Sequence, residues 1–318
     1  MRSRKRIRLY IMLAGFIFSL ILLAAFALLR AEKSFIWPDK KDFDLNEKIN
    51  QRNLDYAKHN PFGFTDKVRD TIKPKGIYRI AVIGDSFVWG DGLPYEQAWS
   101  HKLERKLLEG YDSVEVISWG HSGWSTLDEF NFFKQHGKDY NVDLLIIGWV
   151  DNDPDMGDIY QKNAGDPKQT WGILYKLAPT FVQSMVNNAN GRYYHDWMVK
   201  IFGRDNLNNY QNLLADFRQC LALNRVTPVV VMTPGSAMDQ PIKDHFNLVK
   251  PLFAKTGFPC LEIFDTAAKR LEKYDPMLIQ ANRANGHPGD LMTEEFTVEV
   301  MAFLEQNGYL KPLHKRGS

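Results

Sequence analysis

Apolar runs separated by amphipathic stretches dominate the chain from residue 78 onward. The runs predict buried strands at Tyr78–Ile83, Val114–Ile117, Val142–Val150, Thr227–Thr233 and Cys260–Phe264. Apolar residues at helical spacing predict helices at Gln97–Leu108, Leu127–Phe133, Tyr210–Leu223, Phe246–Phe253 and Thr293–Leu304. Strands that alternate with helices form parallel sheets with both faces covered. The pattern therefore predicts an α/β fold, a three-layer α/β/α sandwich around a parallel sheet.

A different pattern marks the N-terminus, where an uncharged apolar segment runs from Leu9 to Leu29 behind a basic tip. About 20 apolar residues are needed for one transmembrane helix. A cleaved signal peptide is the alternative, but its apolar core is typically about 7–15 residues long. We therefore expect a retained signal-anchor, a single-pass helix with the N-terminus in the cytoplasm and residues 31–318 periplasmic or extracellular.

Three regions follow from these patterns. Residues 1–30 form the tip and anchor, residues 31–77 form a polar stalk and lead-in with little helical or strand period, and residues 78–318 form the folded domain. Residues 154–205 interrupt the alternation as an insertion rich in aromatic residues, which suits a lid or a substrate wall. A satellite core beneath a long loop is the alternative. The aromatic residues in question are Tyr160, Trp171, Tyr175, Tyr193, Tyr194 and Trp197.

The composition of the chain gives no support for nucleic-acid binding or for a metal site. The chain has 318 residues, of which 44% are hydrophobic and 25% are charged, as in an ordinary globular protein. The basic tip accounts for more than the whole net charge of +2, so the remainder is slightly acidic and gives no argument for nucleic acid. Cys220 and Cys260 could pair in an exported domain or could be two small buried residues. They do not form a metal-binding pattern, and no metal or other cofactor is expected.

Candidate chemistry lies where predicted strands end. The first strand runs into AVIGDSFVWGDG, and further small and polar stretches are found at Ser118–Gly123, Gly148–Asp153 and Asn285–Pro288. Sites in parallel sheets form at the carboxyl ends of the strands. Ser86 could therefore be a nucleophile, although a serine at that position could also simply cap a helix. A nucleophilic serine needs a base for its proton and donors for an oxyanion.

These four stretches, in this order, resemble the blocks of the SGNH superfamily, also called GDSL esterases and lipases. The resemblance covers about residues 78–305, and Asn60–Phe64 is similar to the lead-in of exported bacterial members. It implies a flavodoxin-like sandwich with Ser86 as the nucleophile and His287 as the general base. It also implies an oxyanion hole formed by the Ser86 and Gly123 N–H groups and the Asn152 amide. Ordinary turns are the alternatives for Asn152 and His287.

One position departs from the family pattern. The family usually carries an aspartate three residues before the histidine, where this chain has Ala284. Asn285 is the nearest polar candidate to orient His287, and an asparagine accepts a hydrogen bond from the imidazole without supplying charge. A Ser–His dyad oriented by a backbone carbonyl is the alternative.

Further residues are candidates for contacting substrate or supporting the site. Asp85, Trp171 and Tyr193 are expected to contact substrate, whereas His121 in the second block is expected to be structural.

The resemblance implies serine-dependent acyl ester chemistry through an acyl-enzyme on Ser86. The expected substrate is an acylated or acylatable glycan or lipid of the cell envelope. Water as the acceptor gives an esterase, and a sugar hydroxyl gives an O-acyltransferase fed by a membrane-bound O-acyltransferase partner. A degenerate domain that binds glycan without turnover is the alternative. The acyl group, the acceptor and the oligomeric state stay open.

Overall fold

The computed structural model describes residues 15–20, 40–157, 197–283 and 285–316. The chain divides into two compact units, Met1–Asp39 and Lys40–Ser318. Of the predicted anchor, only residues 15–20 are described, and they are helical. The rest of that segment lies outside the described residues. Within the described part of the chain, no helix has the length and apolar character needed to cross a membrane.

A parallel sheet forms the centre of the second unit. Its strands are β1 (Tyr78–Gly84), β3 (Val114–Gly120), β4 (Leu144–Trp149), β5 (Thr227–Met232) and β6 (Cys260–Glu262). Among the described residues the spatial order is β3-β1-β4-β5-β6, with every neighbouring pair parallel. Counting only these strands along the chain, the order is 2-1-3-4-5, the flavodoxin-like arrangement. The order reverses at β1, so its carboxyl end borders a crevice between its two neighbours.

Short strands and helices complete the fold. The helices are α1 (Lys40–Ala57), α2 (Ser86–Trp89), α3 (Trp99–Gly110), α4 (Thr126–Gln135), α5 (Arg204–Leu223), α6 (Gln240–Thr256), α7 (Phe264–Leu271), α8 (Pro276–Ile279) and α9 (Asp290–Gln306). The remaining strands are β2 (Tyr111–Asp112), β7 (Gln280–Asn282), β8 (Asn285–Pro288) and β9 (His314–Lys315). β2 pairs with β9, and β7 pairs with β8, both antiparallel.

Helices cover both faces of the sheet, because alternate side chains along each strand point to opposite sides. Ile80 and Val82 pack in one core with α3, α7 and α9. Ala81 and Ile83 pack in a second core with α4, α5 and α6. The predicted three-layer α/β/α sandwich is confirmed.

Most predicted elements are found with shifted ends. The third predicted strand is shorter than expected, Leu144–Trp149, and β6 ends at Glu262 because α7 begins at Phe264. α6 and α9 extend beyond the predicted Phe246–Phe253 and Thr293–Leu304. Their first turns carry polar residues that the apolar period does not register, and the Asp239 side chain accepts from Ile242 N at the start of α6.

The expectation of little helical structure between residues 31 and 77 was wrong for Lys40–Ala57, which is the 18-residue helix α1. Its inward face is polar. Asn46, Asn50 and Asn53 lie on one side at helical spacing, and Asn53 is 1% exposed. Asn53 Nδ2 donates to Leu93 O at 2.7 Å, and Asn50 Oδ1 accepts from Gly92 N at 3.0 Å. Because α1 docks through hydrogen bonds to loop backbone, it lacks the apolar stripe by which a helix is recognised.

Two further sequence questions concern the insertion and the two cysteines. Of the insertion, residues 158–196 lie outside the described residues, while Trp197 packs with Met198 and Ile201 in a small separate core. For Trp197 this favours the satellite-core alternative. Cys220 and Cys260 are free thiols rather than a disulfide.

Candidate active site

A row of glycines at the carboxyl edge of the sheet makes room for α2, the short helix that begins at Ser86. Gly84 of β1 is in register with Gly120 of β3 and Gly148 of β4. A Cβ atom at Gly120 would overlap the backbone of Trp89, and one at Gly148 would come within 2.7 Å of a Val88 methyl group. The absence of side chains here lets α2 lie directly on the strand ends.

Ser86 is held at the first turn of α2 by the residue before it. Asp85 caps the helix, with its Oδ1 accepting from Phe87 N at 2.8 Å. The other oxygen, Oδ2, lies 3.1 Å from Ser86 Oγ. Asp85 is only 2% exposed, and its carboxyl is engaged inside the protein. The expected substrate contact of Asp85 stays a prediction. Burial raises the pKa of Asp85 to about 7, against the lowering effect of its hydrogen bonds from Phe87 and Ser86.

The strand β8 brings His287 to the serine. His287 Nε2 lies 2.9 Å from Ser86 Oγ, and His287 Nδ1 lies 2.6 Å from Asn285 Oδ1. Because an amide oxygen only accepts, Nδ1 carries the proton and Nε2 is free to accept the serine proton. Burial lowers the pKa of His287, while the nearby Asp91 carboxylate acts in the opposite direction. The imidazole is therefore a base whose neutral form persists to more acidic pH than usual.

Asn285 is itself fixed by further contacts. Its Nδ2 donates to Asn46 Oδ1 at 3.1 Å and to Asp91 Oδ1 at 3.2 Å. The second oxygen of Asp91 lies 4.0 Å from His287 Nε2. The sequence reasoning placed Asn285 beside the histidine but missed Asn46 and Asp91. Asp91 stands in the Gly90-Asp91-Gly92 continuation of the Ser86 motif, which was a signal for it, whereas nothing in the sequence pointed to Asn46.

The predicted oxyanion donors lie on the loops that follow the two neighbours of β1. Gly123, after β3, is exposed and has φ +84°, a conformation in which a side chain would be strained. Asn152, after β4, is half-buried, and its Oδ1 has no hydrogen-bond partner among the described residues. Their positions are compatible with the predicted roles, which stay predictions.

Two further buried carboxyl groups interact electrostatically with Asp85. Glu129 of α4 and Asp153 after β4 are both fully buried. Both Glu129 oxygens and one Asp153 oxygen lack hydrogen-bond partners among the described residues. Burial raises the pKa of both groups well above the usual range, and Asp85 adds to the effect on each. Burial therefore favours the protonated form of both carboxyls, which the sequence did not indicate.

The remaining predicted residues are placed as follows. His121 is exposed and stacks on Trp124 with ring centroids 5.1 Å apart, and its Nδ1 is 3.1 Å from Ser122 O. Trp171, Tyr193 and Ala284 lie outside the described residues. Across the described ranges, no group of three or more His, Cys, Asp or Glu side chains could hold a metal ion.

No protein-family model and no curated protein matches the sequence. Solved structures are similar to it. A lipase/acylhydrolase from Enterococcus faecalis is 13% identical with a TM-score of 0.47, covering 76% of this chain and 100% of that chain. A catalytic mutant of an acetylxylan esterase from Geobacillus stearothermophilus is 14% identical with a TM-score of 0.48, covering 74% and 97%.

TesA is 15% identical with a TM-score of 0.45, covering 72% of this chain and 98% of that chain. Another similar structure is described as a lipolytic protein of the G-D-S-L family. The similar structures are SGNH/GDSL-type hydrolases. They are of the kind that the sequence motifs resemble. At these identities the likeness concerns the fold alone.

Proposed function

We propose that this protein is a serine-dependent ester hydrolase or O-acyltransferase of the SGNH type, with Ser86 as the nucleophile. The observation that carries the proposal is the ordered set Ser86–His287–Asn285. Its two hydrogen bonds of 2.9 and 2.6 Å join nucleophile to base and base to orienter. A nucleophile and a base within hydrogen-bonding reach, with the base fixed by a third group, form the arrangement of covalent serine catalysis. Ser86 as a helix cap is disfavoured, because Asp85 caps α2.

In the first half-reaction, Ser86 Oγ attacks the ester carbonyl carbon while its proton passes to His287 Nε2. The bond between the carbonyl carbon and the alcohol oxygen then breaks, and that oxygen takes the proton from Nε2 as the alcohol leaves. The acyl group remains on Ser86. Donors on the loops at Gly123 and Asn152 are suited to the negative oxygen of the tetrahedral intermediate.

In the second half-reaction, a hydroxyl compound attacks the acyl-enzyme and gives its proton to His287. The bond from the acyl carbon to Ser86 Oγ breaks, and the serine recovers a proton. Water gives a carboxylic acid and makes the protein an esterase. A sugar hydroxyl gives a new ester and makes it an O-acyltransferase.

We also propose that the acyl group belongs to a glycan or lipid of the cell envelope. This part rests on the basic tip and apolar segment at the N-terminus, which suit a domain held outside the membrane. A membrane-bound O-acyltransferase is the partner class that would supply the acyl group.

Labelling by a fluorophosphonate tests whether Ser86 is activated. The purified full chain should label at Ser86, and Ser86→Ala should abolish both labelling and turnover of an aryl acetate. His287→Gln should slow labelling strongly, because the serine then lacks its base. Ser122→Ala is a matched control, since Ser122 is an exposed serine whose hydroxyl makes no described hydrogen bond.

Absence of labelling in the folded wild-type chain would contradict the proposal and favour the alternative, a degenerate module that binds envelope glycan. Unchanged turnover in Ser86→Ala would show that the nucleophile lies elsewhere. For a labelled enzyme, the ratio of acid to transacylated product with an added sugar acceptor distinguishes the esterase from the transferase.

A further inference from the structure

The side-chain amide of Asn285 has all of its hydrogen-bonding capacity satisfied. Its oxygen accepts from His287 N at 3.1 Å and from His287 Nδ1 at 2.6 Å. Its two N–H groups reach Asn46 Oδ1 and Asp91 Oδ1. An asparagine amide can offer two donor hydrogens and an oxygen with two lone pairs. Because both acceptors stand on the nitrogen side, this network assigns the amide orientation in which the oxygen faces the histidine.

Asp91 belongs to the same turn as the nucleophile. Its backbone N–H donates to Ser86 O at 3.0 Å, just beyond the last residue of α2. Gly92 follows with φ +77°, and a Cβ atom there would lie 2.5 Å from Asn285 Nδ2. The Gly-Asp-Gly sequence thus makes space for Asn285 and presents a carboxylate to it. This accounts for the second half of the AVIGDSFVWGDG motif, which the nucleophile alone leaves unexplained.

The carboxylate also supplies what the amide lacks. A neutral amide orients an imidazole but adds no negative charge opposite the imidazolium that forms as Ser86 is acylated. Asp91 Oδ2 is 4.0 Å from His287 Nε2, within the range over which an opposite charge favours the protonated ring. The Asp91 side chain is 21% exposed, so solvent screens the interaction only in part.

We propose that Asp91 is the acidic positioning residue of this site: one oxygen orients the Asn285 amide, which Asn46 of α1 holds by its other hydrogen, and the second oxygen lies 4.0 Å from His287 Nε2. The hydrogen-bonded chain is Ser86–His287–Asn285–Asp91, with the carboxylate one hydrogen bond farther along than in a Ser-His-Asp triad. Its catalytic consequence rests on the proposed function, whereas its effect on the ring of His287 does not.

Asp91→Asn removes the negative charge but keeps the shape of the side chain. Its amide oxygen can still accept from Asn285 Nδ2. We expect kcat for an aryl acetate to fall on the order of 10-fold with little change in KM. This loss is smaller than the ~10⁴-fold cost of neutralising a triad aspartate in direct contact with its histidine. Asp216→Asn is the matched control, because Asp216 is an exposed carboxylate on α5.

Moving the charge tests the relay itself. In the double variant Asp91→Asn/Asn285→Asp, a carboxylate accepts directly from His287 Nδ1, and the amide at position 91 can donate to it. We expect kcat to recover at least to the wild-type value. Asn285→Asp alone places two carboxyls about as close as the present 3.2 Å contact, so one of them should hold a proton and the gain should be smaller.

NMR titration of the imidazoles gives a readout that does not depend on turnover. The full chain has eight histidines, which can be isotopically labelled and assigned with His287→Gln. Removing the Asp91 charge should lower the pKa of His287, whereas Asp216→Asn should not change it. The other carboxyl at the nucleophile, Asp85, is present in both variants, so the difference reports Asp91.

An unchanged His287 titration in Asp91→Asn would overturn the proposal, whether or not the protein turns over esters. A double variant no more active than Asp91→Asn would also overturn it, because a merely structural Asp91 would not be replaced by a charge at position 285. If Asp91→Asn lowered the pKa of His287 as expected but the wild-type chain were not labelled by the fluorophosphonate, the role of Asp91 would be supported. The proposed function would then be contradicted instead.

Discussion

At the scale of single residues, the site depends on the direction in which the Ser86 hydroxyl donates its hydrogen. Ser86 Oγ lies near two acceptors, His287 Nε2 and Asp85 Oδ2, but has one hydrogen to donate. With its pKa raised to about 7, Asp85 holds a proton over part of the neutral range. A protonated Asp85 can donate to Ser86, which directs the serine hydrogen toward the base. The Asn285 contact fixes the proton of His287 on Nδ1, which leaves Nε2 to accept from Ser86. Each group from Asp85 through Ser86 and His287 to Asn285 therefore donates to the next one along.

Glu129 provides a prediction about stability. Burial raises its pKa in the folded state well above the ordinary value of 4.5, so between 4.5 and the folded-state pKa the native state binds more protons than the unfolded state. The free energy of unfolding should therefore fall as pH rises through this window, by about 1.4 kcal/mol per pH unit for one such group. A glutamine at position 129 cannot ionise, so in Glu129→Gln the free energy of unfolding should fall less as pH rises. Urea unfolding between pH 5 and pH 9 measures this difference.

The matched control for Glu129→Gln is Glu109→Gln, because Glu109 is an exposed carboxyl. It should follow the wild-type pH dependence. If Glu129→Gln also followed it, Asp153 rather than Glu129 would hold the proton responsible.

At the scale of elements, the short helix α2 depends on the strand ends beneath it. Gly84, Gly120 and Gly148 leave no side chain between the sheet and α2, and Gly90 ends the helix with φ +83°. The predicted strand boundaries fell short of these glycines for β1 and β3, because the apolar pattern stops at Gly84 itself in β1 and already at Ser118 in β3. The elements that carry Ser86, Gly123 and Asn152 meet only because β1 lies between β3 and β4.

Gly120→Ala tests the importance of this close packing. The new methyl group would overlap the backbone of Val88 and Trp89, so α2 must shift and carry Ser86 away from His287. We expect at least a 10-fold slower fluorophosphonate labelling and a destabilisation of about 1–3 kcal/mol, the usual cost of overpacking. Thermal unfolding by circular dichroism would show that the variant is folded.

Gly110→Ala is the matched control for this prediction, since a Cβ atom there would meet nothing within 4 Å. Equal labelling rates for the two alanine variants would mean that the position of α2 is not set by the glycine contact.

At the scale of the whole molecule, α1 packs against loops that carry the candidate site. Its asparagines contact the backbone of residues 90–93 and the amide of Asn285. A helix that follows the predicted anchor by a few residues therefore contributes Asn46 to the candidate site. The segment expected to be a stalk contains part of the network that orients His287.

The predicted topology is tested by a reporter fused after Ser318. A reporter that is active only in an exported compartment should be active in this fusion, because the positive residues before Leu9 favour a cytoplasmic N-terminus. Replacing Arg2, Arg4, Lys5, Arg6 and Arg8 with neutral residues should weaken that orientation. A mature protein that begins near residue 30 by N-terminal sequencing would show cleavage and contradict a retained anchor.

The sequence by itself determined the layers of the fold and pointed to the candidate pair Ser86 and His287. The periodicity of apolar residues indicates buried strands and amphipathic helices, so their alternation could be predicted from the sequence. Ser86, His287 and Asn285 stood in short motifs at predicted element ends, and the structure brings their side chains within hydrogen-bonding distance.

Only the tertiary structure decided which groups surround that pair. Asn46 and Asn285 are separated by 239 positions, and their contact depends on how α1 docks rather than on any local pattern. The raised pKa values of Asp85, Glu129 and Asp153 arise from burial, which the positions of these carboxyls in the sequence do not reveal. Position along the chain therefore pointed to Ser86 and His287 as the candidate nucleophile and base, whereas burial and long-range contacts determine the orientation of His287 and the pKa values of the carboxyls around the pair.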